Sequence, residues 1–448
     1  AAGGKLSESS RLYNLLGVLL YETGNYRQSE NYFEKALALL SDSNPDDRYL
    51  LVNFNSNIAS ILINLEEYKQ AEARYQKLLS YGLYSNEIWH NLGIIHLRMN
   101  EPQQAIVYFR KVNYGDSKQN IDLNYYKGIA FSQLGQPDSA NRYLQLALSE
   151  NTRWNGSRRS VSHGLILKYT ADELFRNRKY QDAAVQYQQA ILQFSPDYNN
   201  EDPVDNPGVF TNVFSYINLF NTLLSKAACY DSLYSAKADI KLLNSGLDAY
   251  RAAFDLADHV ERTYDSDEAR LFLNKIKYTA HNRPIDVCIR LYELTKKRKY
   301  LENAFQFDQQ NKASILALNV QENEWRNSQG NASSLLSMEA NLRTSITRYA
   351  LKASQVNDSA QTQAINANVR DLEIQLGKVQ DAINNDPVYS QRMSSVKIPS
   401  VQSLQEKLDN TTALLSYHLS QRDLLILVLT KNNLQYYRAP YTAGFFRQ

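Results

Sequence analysis

The residues best suited to nucleophilic or metal chemistry in this chain are few, and their spacing does not assemble them. His90 and His96 lie six residues apart in one helical pattern, which is not a chelating interval on a helix face. His96 stands where helix packing wants a large residue, so both histidines read as packed or solvated side chains. Cys229 and Cys288 fall in apolar helical patterns and read as small buried hydrophobes. Two cysteines exclude a disulfide framework, and they fit the cytoplasm and a bacterial periplasm alike. The acidic run DSNPDD lacks the glycine and closing glutamate of a calcium loop. The patterns G-x-x-x-x-G-K-[ST], H-E-x-x-H, C-x-x-C and G-x-S-x-G do not occur. No catalytic residue, metal site or cofactor is therefore expected in these 448 residues.

The totals narrow the class further. A hydrophobic fraction of 43% fits a folded protein, and the length exceeds one ordinary core. Lys and Arg number 49 against 47 Asp and Glu, a net charge of +2 that offers no basic footprint for nucleic acid. Tyr, at 32 against 15 Phe and 3 Trp, suits half-exposed helix faces, because its ring is apolar and its tip polar. No stretch reaches the apolar length of a membrane span; the longest, Leu424 to Leu429, is strand-sized. The start, AAGGKLSESS, has neither Met nor a hydrophobic signal core, and reads as a processed end or a tag scar.

Any functional surface must be positioned by repeats, because five segments align on one template. They are residues 13–37, 55–79, 89–112, 124–148 and 167–191. Each has a small residue in a first helix: Gly17, Ala59, Gly93, Gly128 and Ala171. A tight turn follows, then small second-helix residues Ser29, Ala71, Ala105, Ala140 and Ala183. Four residues on stand Phe33, Tyr75, Phe109, Leu144 and Tyr187. Two antiparallel helices approach closely only where one presents Gly or Ala, and the large residue on the same face fills the adjoining space. One pair cannot bury both of its faces, so neighbouring pairs must stack.

This pattern, fullest at Trp89, Leu92 and Gly93, resembles the tetratricopeptide repeat. The resemblance implies a mainly α fold, a right-handed α-solenoid of tetratricopeptide-like helix pairs whose first helices line a concave groove for a protein or peptide partner. Carried onto this sequence, the groove positions give Arg11, Asn14, Tyr21, Asn53, Ser56, Asn64, His90, Arg98, Tyr125, Gln133, Lys168 and Arg176. Asn and Gln can bond a peptide main chain, Tyr supplies contact area and Arg supplies charge. Asn14 and Val18 do not fit the family's carboxylate-clamp variant, so recognition of an acidic C-terminal tail is not expected.

Clear repeats occupy residues 10–195, and after a loop at 197–210 divergent helical repeats extend over 211–318, with helices at 211–229, 238–262, 268–281, 284–297 and 299–318. Helical spacing over 333–355 and 358–384 predicts a long hairpin within 333–385. From 400 to 448 the texture changes: a short helix at 401–408, then strands at 413–419, 423–430 and 433–439, the last two joined by a Lys431–Asn432 turn. Three strands alone leave edges and an apolar face uncovered, so an incomplete α/β domain and a longer native chain are expected.

The succession of repeats, AFQFDQQNKASIL, SLLSMEANLRTSI and VQSLQEKLDNTTALLSYHLSQRDLLILVLT resembles the bacterial proteins that join tetratricopeptide repeats to a CHAT, or caspase-like, domain. Leu404, Gln405, Leu408, Ala413, Leu414, Leu415 and Tyr417 match the opening of that domain. The resemblance implies a cysteine peptidase whose His and Cys follow these strands, beyond Gln448, and His418 matches no catalytic position of the family. The expected role is a partner-sensing scaffold, with bacterial cytoplasm as the expected compartment. The alternative is a non-enzymatic adaptor in a bacterial envelope or secretion assembly. Oligomeric state is left open by the sequence.

Overall fold

The computed structural model describes residues 2–22, 25–210, 212–263, 277, 280–312, 334–355, 359–384, 399–420 and 423–440. Among them the first ten helices are α1 (Ala2–Glu22), α2 (Tyr26–Leu37), α3 (Pro45–Asn64), α4 (Tyr68–Leu78), α5 (Ser85–Arg98), α6 (Pro102–Phe109), α7 (Asn120–Gln133), α8 (Pro137–Asn155), α9 (Val161–Arg176) and α10 (Tyr180–Phe194). There follow α11 (Tyr216–Lys237), α12 (Ile240–Thr263), α13 (Asn282–Thr295), α14 (Arg298–Lys312), α15 (Ser334–Gln355), α16 (Ser359–Asn384) and α17 (Val401–Lys407). Three strands close the order: β1 (Ala413–Leu419), β2 (Asp423–Thr430) and β3 (Leu434–Pro440). The chain divides into two compact units. One holds α1 to α8, α9 as far as Glu173, and α15 and α16; the other holds the rest.

In the first unit, helix pairs α1–α2, α3–α4, α5–α6 and α7–α8 pack internally, and α2 meets α3, α4 meets α5, and α6 meets α7. This is the stacking that a solenoid of helix pairs requires. Its cause is visible at the glycines. A Cβ on Gly17 would stand 2.6 Å from Phe33 Cε1, one on Gly93 would stand 2.3 Å from Phe109 Cε1, and one on Gly128 would stand 2.9 Å from Leu144 Cγ. The missing side chain of the first helix is the socket for the large residue of the second. Phe33 and Phe109 are 1% and 0% exposed, so each ring contributes roughly 2–3 kcal/mol of apolar burial. Ala59 and Tyr75, the corresponding residues of the second pair, are both fully buried in one cluster.

The described turns within four of the pairs share one geometry. Glu66, Asn100, Gly135 and Arg178 all take left-handed φ, between 59° and 68°. The next residue donates back to the helix, as in Glu67 N to Leu62 O at 2.8 Å, Glu101 N to His96 O at 2.8 Å and Gln136 N to Phe131 O at 2.9 Å. These bonds satisfy the orphan carbonyls of the first helix. Only Gly135 takes this conformation without steric cost; at the other three positions packing outweighs about 1 kcal/mol of strain. Pro102 and Pro137 then start the second helices, where no N–H is needed.

α15 and α16 pack against each other as the expected hairpin, and α16 also rests on α2. In the second unit α10 to α14 pack in order. The sheet is antiparallel in the order β1-β2-β3, with Tyr417 opposite Ile426 and Ile426 opposite Tyr437. Its inner face carries Leu425, Leu427, Leu429 and Leu434, all buried, and meets α14 and α17. Its outer face leaves Leu415, Tyr417, Leu419 and Tyr437 between 43% and 55% exposed.

β1, β2, the 431–432 turn and the two hairpin helices lie where the sequence puts them, and β3 starts and ends one residue later than the expected 433–439. The helix expected at 211–229 begins instead at Tyr216, because Asn212 takes a left-handed φ of 57° and Phe214 N bonds Phe194 O at 2.9 Å. The helix expected at 299–318 is described only to Lys312, and most of that expected at 268–281 lies outside the described residues.

Gly93→Ala should destabilise the first unit by about 1–3 kcal/mol through overpacking against Phe109. Adding Phe109→Leu should recover part of the loss, as read by urea unfolding of the two variants and the unmodified chain.

Candidate functional site

The first helices of the opening repeats lie side by side and are joined by side chains, each link having at least one expected groove position at its end. Asn57 Nδ2 donates to Asn14 Oδ1 at 2.9 Å, and one turn-pair further Asn64 Nδ2 donates to the Tyr21 hydroxyl at 2.8 Å. Both bonds join α3 to α1. Between α7 and α5, Gln119 at the head of α7 donates to Glu87. Between α9 and α7, Tyr169 meets Tyr125 edge-on with centroids 5.2 Å apart. The strip is thus tied by amides and phenols in addition to the aliphatic packing of Val18, Ile63, Ile94, Leu97 and Ile129.

The expected residues fall into three groups. Arg11, Arg98, Gln133 and Arg176 are exposed. Asn14, Tyr21, Asn53, Ser56, Asn64 and Lys168 are half-buried. Ser56 turns its hydroxyl to Val52 O at 2.8 Å, and Lys168 pairs with Asp172 at 2.8 Å within α9. His90 and Tyr125, at 8% and 5% exposure, lie inside the packing. His90 Nδ1 shares a 3.0 Å hydrogen bond with the Tyr114 hydroxyl and meets Phe109 and Tyr126 edge-on. Burial, helped by the Lys127 charge, pushes the His90 imidazole down to about 4. Burial also raises the Tyr125 phenol well above its ordinary range, with Tyr169 adding to it. These two residues shape the strip from beneath while Arg98, whose charge acts on the Tyr125 and Tyr126 phenols, stands at its surface.

His96 is also packed: it stacks on Tyr108 at 5.2 Å, and its Nδ1 lies 2.7 Å from Glu101. Cys229 and Cys288 are both buried, and burial raises the Cys288 thiol far above its usual range. Neither is placed as a nucleophile.

The second unit holds polar centres that sequence reading missed. Lys226 of α11 is fully buried. Its ammonium donates to Gln188 Oε1 at 2.6 Å, Asn206 Oδ1 at 3.0 Å and the Asp205 carbonyl. Gln188 in turn donates to Asn200 O at 2.7 Å, and the Tyr230 hydroxyl donates to Pro203 O at 2.6 Å. Three side chains from α10 and α11 therefore hold the main chain of the loop that follows α10. Burial lowers the Lys226 amine to about 7, against the raising effect of Asp205 and Asp202. The signal was present in LLSKAACY, a lysine on the apolar face between Leu223 and Tyr230, since an amine there must find oxygens or leave the core.

Where β1 meets α14, Ser416 Oγ donates to Asp308 Oδ2 at 2.5 Å and Gln309 Nε2 donates to Ser416 Oγ at 2.9 Å. His418 Nδ1 stands 3.5 Å from the other Asp308 oxygen, and the His418 ring meets His281 edge-on. Serine, histidine and aspartate converge here, but the hydroxyl donates to the carboxylate and not to the imidazole, and the group is buried. The arrangement joins strand to helix; it does not present a nucleophile with its base. Beside it a cleft of about 590 Å³ lies between α11, α13 and the sheet. Its charges answer one another: Arg290 meets Asp231 at 2.5 Å, and Arg438 stands 3.6 Å from Asp423 and 3.9 Å from Glu293.

Tetratricopeptide repeat models match residues 10–43, 87–114 and 125–199. No curated protein matches the chain. Among solved structures it is similar to PilW, a widely conserved type IV pilus biogenesis factor, at 19% identity over 59% of this chain and 98% of that one, with a TM-score of 0.36. It is similar to Pseudomonas aeruginosa PilF at 17% identity over 60% and 97%, with a TM-score of 0.34. It is similar to BtubC of P. vanneervenii at 14% identity over 58% and 91%, with a TM-score of 0.35. Among the described residues no helix is long and apolar enough to cross a membrane.

The depressed His90 makes stability depend on pH. The folded chain keeps this imidazole neutral down to about 4, whereas an unfolded one takes a proton near the ordinary 6.5. Between those values the unfolded chain binds more protons, so His90's contribution falls as pH drops from 6.5 to 4, by on the order of 3 kcal/mol. His90→Phe should flatten that part of the stability–pH curve, measured by urea unfolding across the window.

Proposed function

From a chain that carries tetratricopeptide repeats, we propose a scaffold that captures a protein or peptide partner along the first helices of residues 10–195, with the repeats extending in divergent form to 318. The observation that carries this reading is the strip itself. Successive first helices are held in register by Asn57–Asn14, Asn64–Tyr21 and Tyr125–Tyr169, while Arg11, Arg98, Gln133 and Arg176 remain at the surface. Repeats of this family bind protein partners through such faces, and a pre-ordered face lowers the entropy lost on binding. The groove residues are the twelve named above, with His90 and Tyr125 acting from beneath.

The capture is the input to a caspase-like CHAT domain that opens at about residue 400, making this chain the sensing part of a bacterial cysteine peptidase. Support comes from the match at Leu404 to Tyr417 and from an antiparallel sheet whose outer face leaves Leu415, Tyr417, Leu419 and Tyr437 exposed, as a layer awaiting cover would.

Two measurements test the two parts. Arg98→Glu with Arg176→Glu should weaken capture of the partner at least tenfold in a pull-down calibrated by titration, with unchanged circular dichroism; unaltered capture rejects the surface. Reading the native coding sequence past Gln448 should reveal a His and a Cys in strand contexts; their absence rejects the peptidase and leaves the scaffold standing.

A further inference from the structure

α16 rests on α2, residues some 345 positions apart in the chain, and a row of polar side chains crosses the contact. Gln28, Asn31 and Lys35 form one row on α2 at helical spacing. Gln28 Nε2 donates to Glu373 O at 2.6 Å, Asn31 Nδ2 to Glu373 Oε2 at 2.7 Å, and Lys35 Nζ to Asp371 Oδ1 at 2.7 Å. Gly377 admits the row: a Cβ there would stand 3.1 Å from the Gln28 carboxamide carbon. The ion pair is open to solvent, with Lys35 and Asp371 at 29% and 51% exposure.

Each side has a larger partner of its own. α16 packs most extensively on α15 and buries Ile365, Ile374, Val379 and Ile383. α2 packs most extensively on α1 and sinks Phe33 and Ala36 into the repeat core. Parting them frees the Gln28 and Asn31 amides and the Glu373 and Asp371 carboxylates, which water then solvates. An ion pair this exposed moves an equilibrium by no more than about fivefold.

We propose that the α2–α16 contact is a reversible latch, tying the back of the first helix pair to the hairpin and opening without unfolding either. The row Gln28–Asn31–Lys35 reads two carboxylates and a main-chain carbonyl on a helix with a small residue beside them. A latch of this chemistry is weakened by salt and by charge reversal, whereas an apolar interface is not.

Carbodiimide labelling of the Glu373 carboxylate on the full chain, read by mass spectrometry, tests it, with circular dichroism reporting helix content. Lys35→Glu should raise labelling of Glu373 about threefold, 0.5 M salt should do the same to the unmodified chain, and Lys35→Glu with Asp371→Lys should restore its protection. Gly377→Leu, which favours helix but wedges against Gln28, should raise the labelling while helix content is unchanged. The latch is overturned if charge reversal, salt and the wedge all leave the labelling of Glu373 unchanged. It is equally overturned if any of them unfolds α1–α2 and the hairpin together, which would make the contact part of one cooperative core.

Discussion

The architecture of the first unit depends on one steric event repeated along the chain: a ring or a branched side chain enters the gap left by a glycine or alanine on the neighbouring helix. Phe33 at Gly17, Phe109 at Gly93 and Leu144 at Gly128 set how closely the two helices of a pair approach. That approach brings the first helices near enough for Asn57 to reach Asn14 and for Tyr169 to reach Tyr125. The stacked pairs bury Ile58, Ala59, Ile61, Tyr75, Leu92 and Ile95 in one cluster, and Ile121, Ile129, Ala130, Leu144 and Ile166 in the next. Each pair therefore shares its core with its neighbour.

The same economy of apolar surface explains the polar centres of the second unit. Thin helical layers bring loops and strands directly against helices, where main-chain groups need partners. Lys226, Gln188 and Tyr230 meet the carbonyls of the loop after α10, and Asp308 meets Ser416 where β1 reaches α14. Buried polar networks of this kind define position more sharply than apolar contact does, because each bond has direction and a missing one leaves a desolvated group.

Most of the local structure was legible in the sequence. The period of 3.6 and the recurring small and aromatic residues gave the helix pairs, and alternation over 413–439 gave the strands and their turn. The site was legible only as a face. Helical spacing places His90 and Tyr125 beside Arg98 and Gln133, yet the former pair is buried and the latter exposed, since exposure depends on where Tyr114, Tyr126 and Tyr169 come to rest. The start of α11 was misplaced by five residues because a left-handed Asn212 and a bond to Phe194 hold the chain in a loop that its apolar pattern does not announce.

By itself the sequence determined the elements and the packing rule between adjacent ones, because periodicity and residue size act over a few turns of chain. The tertiary structure alone decided which distant groups meet: Lys226 with Asn206, Asp308 with Ser416, and Glu373 with Gln28 across 345 positions. Hydrogen bonds between residues far apart carry no period, and their geometry exists only once the apolar faces have fixed the helices in place.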